Sequence, residues 1–162
     1  MMPKTEKSVK KAFESCNKKK VFVSIDKESY LDYVTESLED LNSAQKELDE
    51  GDLKWAVVKA YQSLFLYCTA VLVKNLGIYS KDHGCLIIAL LEEKVVKNDI
   101  LERISSLLED KQSLYDEVER IRLFRNKMLY FPKSSAKFGN KNEVLKIIEE
   151  VRQLISVLGE GL

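Results

Sequence analysis

Apolar residues recur along this chain mainly with the three- and four-residue steps of helices. Over residues 28–50 the stripe Leu31, Val34, Leu38, Leu41 and Leu48 faces away from a run of acids, with Asp26 as the N-cap ahead of it and Gly51 as its stop. Asp52 then caps a second helix over 53–76, which is apolar nearly all round. Trp55, Val58, Tyr61, Phe65, Cys68 and Leu72 lie on one side and Val57, Leu64 and Val71 on another, so this is expected to be the central, most buried helix. Gly77 ends it, and Ser80 or Asp82 starts a short third helix whose apolar core is 85–91. A fourth helix is predicted over 99–130, carrying Leu101, Ile104, Leu108, Tyr115, Val118, Ile121 and Leu129, with room for a kink near Gln112 and Ser113 and with Pro132 as its terminator. The last helix, 142–158, keeps Val144, Ile147, Ile148, Val151, Leu154, Ile155 and Leu158 in register.

Two stretches break this pattern. Residues 1–27 hold a short helix around 8–16, a lysine cluster, and then VFVSID, whose alternation is strand-like but has no evident partner, so 18–27 is read as an extended lead into Asp26. Residues 132–142, PKSSAKFGNKN, have the composition of a mobile loop. The pattern predicts an all-α bundle of four to five helices with up-down packing, one domain over 1–162.

Charge refines the picture locally. Lys plus Arg equals Asp plus Glu at 26 each, so the whole molecule offers no bulk field to a nucleic acid, and any anion site must be local. Residues 1–20 hold seven lysines against Glu6 and Glu14, whereas 28–50 hold eight acids against Lys46 alone. These are read as solvated surfaces that attract each other, or as an RNA-steering arm. Cys16, Cys68 and Cys85 lack CxxC spacing and read as reduced thiols. No apolar leader-like stretch opens the sequence, and the apolar run 64–73, broken by Thr69, is too short to span a bilayer, so a cytoplasmic protein is expected.

Few chemistries fit the residues available. His83 is the one histidine, the cysteines are dispersed, and no GxGxxG or GxxxxGK[ST] occurs, which argues against a zinc site, a Ser-His-Asp triad and standard phosphate loops; no metal or cofactor is expected. The exception is RLFRNKMLYF, 122–131. Val118, Arg122, Arg125 and Leu129 share one helical face, so two guanidiniums interrupt an apolar stripe. They either pair with a carboxylate such as Asp116 or Glu119, or line a cleft or subunit interface that binds an anion.

Three ordered segments carry a resemblance: KWAVVKAYQSLFLYCTAVLVKNLG, then YSKDHGCLI, then a long helix ending RNKMLY. Together they resemble the HEPN superfamily, the higher eukaryotes and prokaryotes nucleotide-binding domain, and within it an uncharacterised archaeal and bacterial branch. That branch's W-A-x-x-x-A-Y-x-x-x-F, S-K-x-H and R-x-K-A-D-Y patterns correspond to Trp55, Ala56, Ala60, Tyr61 and Phe65, then Ser80, Lys81 and His83, then Arg125, Lys127 and Tyr130. The resemblance implies a helical bundle, usually a homodimer whose long helices place their arginines around a shared cleft, often working with a minimal nucleotidyltransferase as a toxin-antitoxin pair.

On that basis Arg122, Arg125, Asn126, Lys127, Tyr130, Lys81 and Tyr61 are the expected nucleotide- or RNA-binding residues, with Arg125 as bidentate phosphate ligand and Tyr130 as hydrogen-bond donor or stacking group. Ribonuclease members use an R-x4-6-H motif; here Tyr130 stands where that histidine would be, and Leu129 where the branch has Asp. Tyrosine, with a pKa of about 10, is a poor proton acceptor at neutral pH. Three readings follow: an RNA- or nucleotide-binding component of a toxin-antitoxin or defence-type system; a metal-independent ribonuclease using Arg125 with Tyr130 or His83; and a partner-binding helical protein whose arginines pair with acids.

Overall fold

The computed structural model describes residues 2–108 and 140–162. Its described elements, in chain order, are α1 (Glu6–Lys18), β1 (Phe22–Ser24), a 3-10 turn (Lys27–Ser29), α2 (Tyr30–Asp49), α3 (Leu53–Leu76), β2 (Ile78–Ser80), α4 (His83–Glu92), α5 (98–108 as described) and α6 (Lys141–Gly159). The all-α expectation holds, with one small sheet added.

Helix α3 organises the bundle. Asp52 Oδ1 accepts from the Trp55 amide at 3.2 Å, and Gly77, at φ 65°, closes the helix in the left-handed region that a glycine adopts without steric cost. Ala56, Ala60, Leu64, Cys68, Ala70, Leu72 and Val73 are fully buried. The helix is long and apolar enough to cross a membrane, with a mean hydropathy of 1.5 over an 18-residue window, more than the run 64–73 suggested. However, 78% of that window is buried inside the bundle, so its apolar surface is spent on α2, α4 and α6.

The α2–α3 pair is a tight antiparallel hairpin. Ser37 Oγ donates to the Ser63 carbonyl at 2.7 Å, and Ser63 Oγ donates to the Ser37 carbonyl at the same distance, both side chains fully buried. Two small residues facing each other let the backbones approach, and each hydroxyl is satisfied by the opposite helix. This contact sets the rotation of α2: its buried face is Ser37, Leu41, Ala44 and Leu48, whereas Leu31 and Leu38 are 52% and 44% exposed. The apolar stripe expected through Leu31 and Leu38 is therefore corrected at those two positions, because a stripe drawn through large apolar residues overlooks Ser37 and Ala44. Asp40 of α2 pairs with Lys59 of α3 at 2.8 Å, half-buried.

At the bundle's far end, α6 reaches α3 closely. A Cβ on Gly159 would stand 2.8 Å from the Tyr67 hydroxyl, and Lys74 Nζ donates to the Leu162 carbonyl. Helix α6 begins at Lys141 with Asn140 and Glu143 forming a capping box, so residues 141 and 142 are helical and the loop expected over 132–142 is corrected there; 132–139 lie outside the described residues.

The N-terminal segment departs most from expectation. VFVSID does have a partner: β1 pairs antiparallel with β2, Phe22 opposite Ser80, Val23 opposite Tyr79 and Ser24 opposite Ile78. Lys81 N to Val21 O and Ile25 N to Gly77 O, each 2.9 Å, extend the ladder at both ends. Helix α1 packs on α4, Phe13 stacks at a tilt on Phe22 with centroids 5.5 Å apart, and Cys16 and Cys85 are joined as a disulfide with Cα atoms 5.8 Å apart. The reading of Cys16 and Cys85 as thiols is thus corrected; Cys68 is free and buried. Closing a loop of 69 residues contributes about 4 kcal/mol in the chain-entropy account. Nor does the basic N-terminal segment pair with acidic α2 among the described residues; its ion pair is Glu6 with Lys94, exposed at 2.9 Å.

Two predictions follow from this packing. Ser37→Leu forces a branched side chain into the closest α2–α3 contact and should destabilise the fold by about 3 kcal/mol, against about 1 kcal/mol for Ser37→Ala, in urea titrations; equal losses would mean the helices are not closely packed there. Burial pushes the Cys68 thiol from 9.0 up to about 12. The unfolded chain releases that proton first, so this contribution is intact below pH 9 and declines as pH rises toward 12. Cys68→Ala should flatten part of the alkaline loss of stability between those values.

Candidate functional site

The three segments singled out in the sequence meet unequally. Arg122, Arg125, Asn126, Lys127 and Tyr130 lie outside the described residues, as do the expected kink and most of the fourth helix. The other two segments, on α3 and on the β2–α4 turn, are brought together.

The turn is built by Ser80 and Asp82. Ser80, buried, donates its hydroxyl to the Asp82 carbonyl at 2.7 Å and accepts from the Asp82 amide at 3.1 Å. Asp82 then caps α4, its Oδ1 accepting from the Cys85 amide at 2.8 Å. Of the two candidate caps, Asp82 is the one that starts the helix; Ser80 holds the turn that delivers it. These bonds place His83 at the first helical position, half-buried, while Lys81 is exposed, its amide tied to the Val21 carbonyl.

The His83 imidazole stands edge-on to the Phe65 ring, centroids 4.1 Å apart and planes at 81°. Phe65 comes from the second half of α3, one turn after Tyr61, which is 4% exposed within the core. The histidine is thereby oriented by an aromatic wall, with the amides of the α4 N-terminus beside it and a lysine two residues before it. The α4 N-terminus is already occupied by the Asp82 carboxylate, so Lys81 is the group of this turn that can meet an anion from solvent. The spacing of the sequence motifs indicated both segments; that Phe65 would be the ring against His83 was not readable, because nothing local links a position on α3 to one after a β-turn.

A concavity of about 420 Å³ lies between α5 and α6, lined by Asp99, Glu102, Arg103 and Glu150 among others. Its arginine is committed: Arg103 Nε and Nη2 both donate to Glu150 Oε1, at 3.0 and 2.8 Å. With three carboxylates around one occupied guanidinium, this groove is poorly suited to phosphate. Among the described residues, no three His, Cys, Asp or Glu side chains are grouped so as to hold a metal ion.

Comparison with known proteins places these features in a family. The HEPN domain model matches residues 30–161, starting at the first residue of α2 and leaving α1 and β1 outside. Among solved structures, the chain is similar to TT1696 from Thermus thermophilus, with 19% identity, a TM-score of 0.59, and coverage of 83% of this chain and 98% of that one, a likeness of fold. No curated protein matches.

Because His83 is the sole histidine, its ring protons report this geometry without ambiguity. They should show ring-current shifts in a proton NMR spectrum that collapse toward random-coil positions in Phe65→Leu; unchanged shifts would contradict the edge-on contact.

Proposed function

The chain belongs to the HEPN domain family, and from that premise we propose that it binds RNA or nucleotide phosphates through its arginine segment, RLFRNKMLYF. The observation that carries this reading is the family match across 30–161, which takes in both the His83 turn and RLFRNKMLYF. In this reading Arg125 grips a phosphate with both guanidinium nitrogens, Arg122 and Lys127 add charge, and Asn126 and Tyr130 supply hydrogen bonds or a stacking face. Lys81 adds charge from the β2–α4 turn, and Tyr61, buried in α3 one turn before Phe65, is the remaining candidate from the sequence motifs. Two copies of the chain would complete the cleft, and the module would act in a toxin-antitoxin or defence-type system beside a nucleotidyltransferase-type partner.

The ribonuclease reading keeps one specific support. His83 is a half-buried imidazole set edge-on against Phe65 at a helix start, and it is the one histidine of the chain. In that version the 2'-hydroxyl would lose its proton to His83 and its oxygen would bond to the phosphorus of the phosphate held by Arg125, giving a 2',3'-cyclic phosphate as the bond to the 5'-oxygen breaks and that oxygen takes a proton from solvent, while Tyr130, standing where the nuclease motif has histidine, would donate a hydrogen bond.

The test is binding of a labelled single-stranded RNA and of a nucleoside triphosphate, compared between wild type and Arg125→Ala. Loss of a bidentate charged contact of roughly 1.5–3 kcal/mol should weaken binding by about 10- to 100-fold. Equal binding by both proteins would leave the partner-binding reading, with its arginines paired to acids. RNA cut by wild type and left intact by His83→Ala would select the nuclease version.

A further inference from the structure

Lysines 18, 19 and 20 lie outside the stretch that matches the HEPN domain, yet the fold fixes them against the part of that stretch that presents His83. The chain from 16 to 21 is fastened at one end to the first turn of α4 and at the other to the β2–α4 turn that precedes it. At one end Cys16 is bonded to Cys85, and at the other the Val21 carbonyl accepts from the Lys81 amide at 2.9 Å. The three lysines occupy the span between these anchors, and all three, with Lys81, are exposed. Their backbone is also settled: Lys19 N bonds to Ser15 O at 3.1 Å, Lys20 N bonds to Asn17 O at 3.0 Å, and Lys20 takes φ 53° to turn the chain into β1.

Among the described residues none of these four lysines is in an ion pair. The nearest acids along their own elements are Glu14, one turn before Lys18, and Asp82, whose Oδ1 is engaged in capping α4. In a chain with equal numbers of acids and bases, this is a local surplus of positive charge, held in place rather than carried on a loose tail.

We propose that Lys18, Lys19, Lys20 and Lys81 form a docking surface for the phosphate backbone of single-stranded RNA, extending the HEPN site onto the N-terminal segment. The proposal rests on the RNA-binding reading given above and adds to it where the strand runs: past the His83 turn and along the 16–21 strap. Backbone recognition suits lysines, which act as point charges without a fixed approach geometry. A lipid surface suits the patch less well, because the large apolar side chains exposed among the described residues, Leu31, Leu38 and Val157, sit on α2 and α6.

The experiment measures affinity for a fluorescein-labelled 20-nucleotide oligouridylate across a salt series, using the oxidised full chain. It compares wild type, the triple variant Lys18→Gln, Lys19→Gln, Lys20→Gln, and a charge-matched control, Lys4→Gln, Lys7→Gln, Lys10→Gln, with circular dichroism confirming the fold of each. The strap variant should bind at least about 10-fold more weakly at low salt, and its slope of log affinity against log salt should drop by about 2, since each single-strand phosphate contact contributes about 0.7. The control should change far less. Equal losses in the two triple variants, an unchanged slope in the strap variant, or tighter binding of wild type to phosphatidylserine vesicles than to the oligonucleotide would each overturn the proposal. If Arg125→Ala abolishes binding while the strap variant matches wild type, the strap inference falls and the proposed function stands; if wild type binds a nucleoside triphosphate but not the oligonucleotide, the strap inference falls with the RNA reading, and if it binds neither, the proposed function falls as well.

Discussion

A helix that is apolar on every side cannot stand at a surface, and the rest of this molecule is arranged around that constraint. Helix α3 runs from the Asp52 cap to the left-handed Gly77 with fully buried residues from Ala56 to Val73. Helix α2 covers it by folding back through the Gly51 turn, α6 covers it from the C-terminal side, and α4 closes over the end that Gly77 redirects. The Ser37–Ser63 exchange fixes how close α2 comes and so which of its residues face inward. Gly77 does a second thing by ending α3 sharply: a Cβ there would stand 3.3 Å from the Ile25 carbonyl, so the absence of a side chain lets β1 run beside the helix end and pair with β2.

From that corner the candidate site follows without further special features. The β2–α4 turn is locked by Ser80 and capped by Asp82, which leaves His83 against Phe65 and Lys81 in solvent. The same ladder that positions Lys81 draws in the N-terminal segment, and the Cys16–Cys85 bond holds it there. A core constraint is thus linked, through one glycine and one short sheet, to a surface with a histidine and a cluster of lysines.

What the sequence disclosed depended on whether the signal was local. The bounds of α3 were readable because an aspartate before an apolar run and a glycine after it are local stop signs, and the general extent of α6 was readable in the same way, whereas Asp26 caps the 3-10 turn Lys27–Ser29 and α2 itself starts after Ser29, and the choice of Asp82 over Ser80 was left open by the sequence. The β1–β2 pairing was not readable. Three-residue strands far apart in sequence carry no pattern of their own, and their partner choice is made by the helices that bring them together. The disulfide depends on that pairing and was missed with it, since Cys16 and Cys85 are 69 residues apart and share no motif. The exposure of Leu31 and Leu38 was hidden because small polar residues at a helix contact leave no mark on an apolar stripe. In the site, the motif spacing singled out the Phe65 and His83 segments, which the fold brings into contact, while the arginine segment, Arg122 to Tyr130, lies outside the described residues and is known by its sequence and family alone.

In the proposed function RNA would meet this HEPN chain at the His83 turn and at the arginine segment. Ultraviolet crosslinking of the protein to a uridine-rich single strand, followed by mass mapping of the modified peptides, tests it most directly. Adducts are expected on peptides spanning Tyr79 to His83 and on those containing Tyr130. Adducts confined to α6 or to the exposed Leu31 and Leu38 face of α2, or none at all, would contradict it.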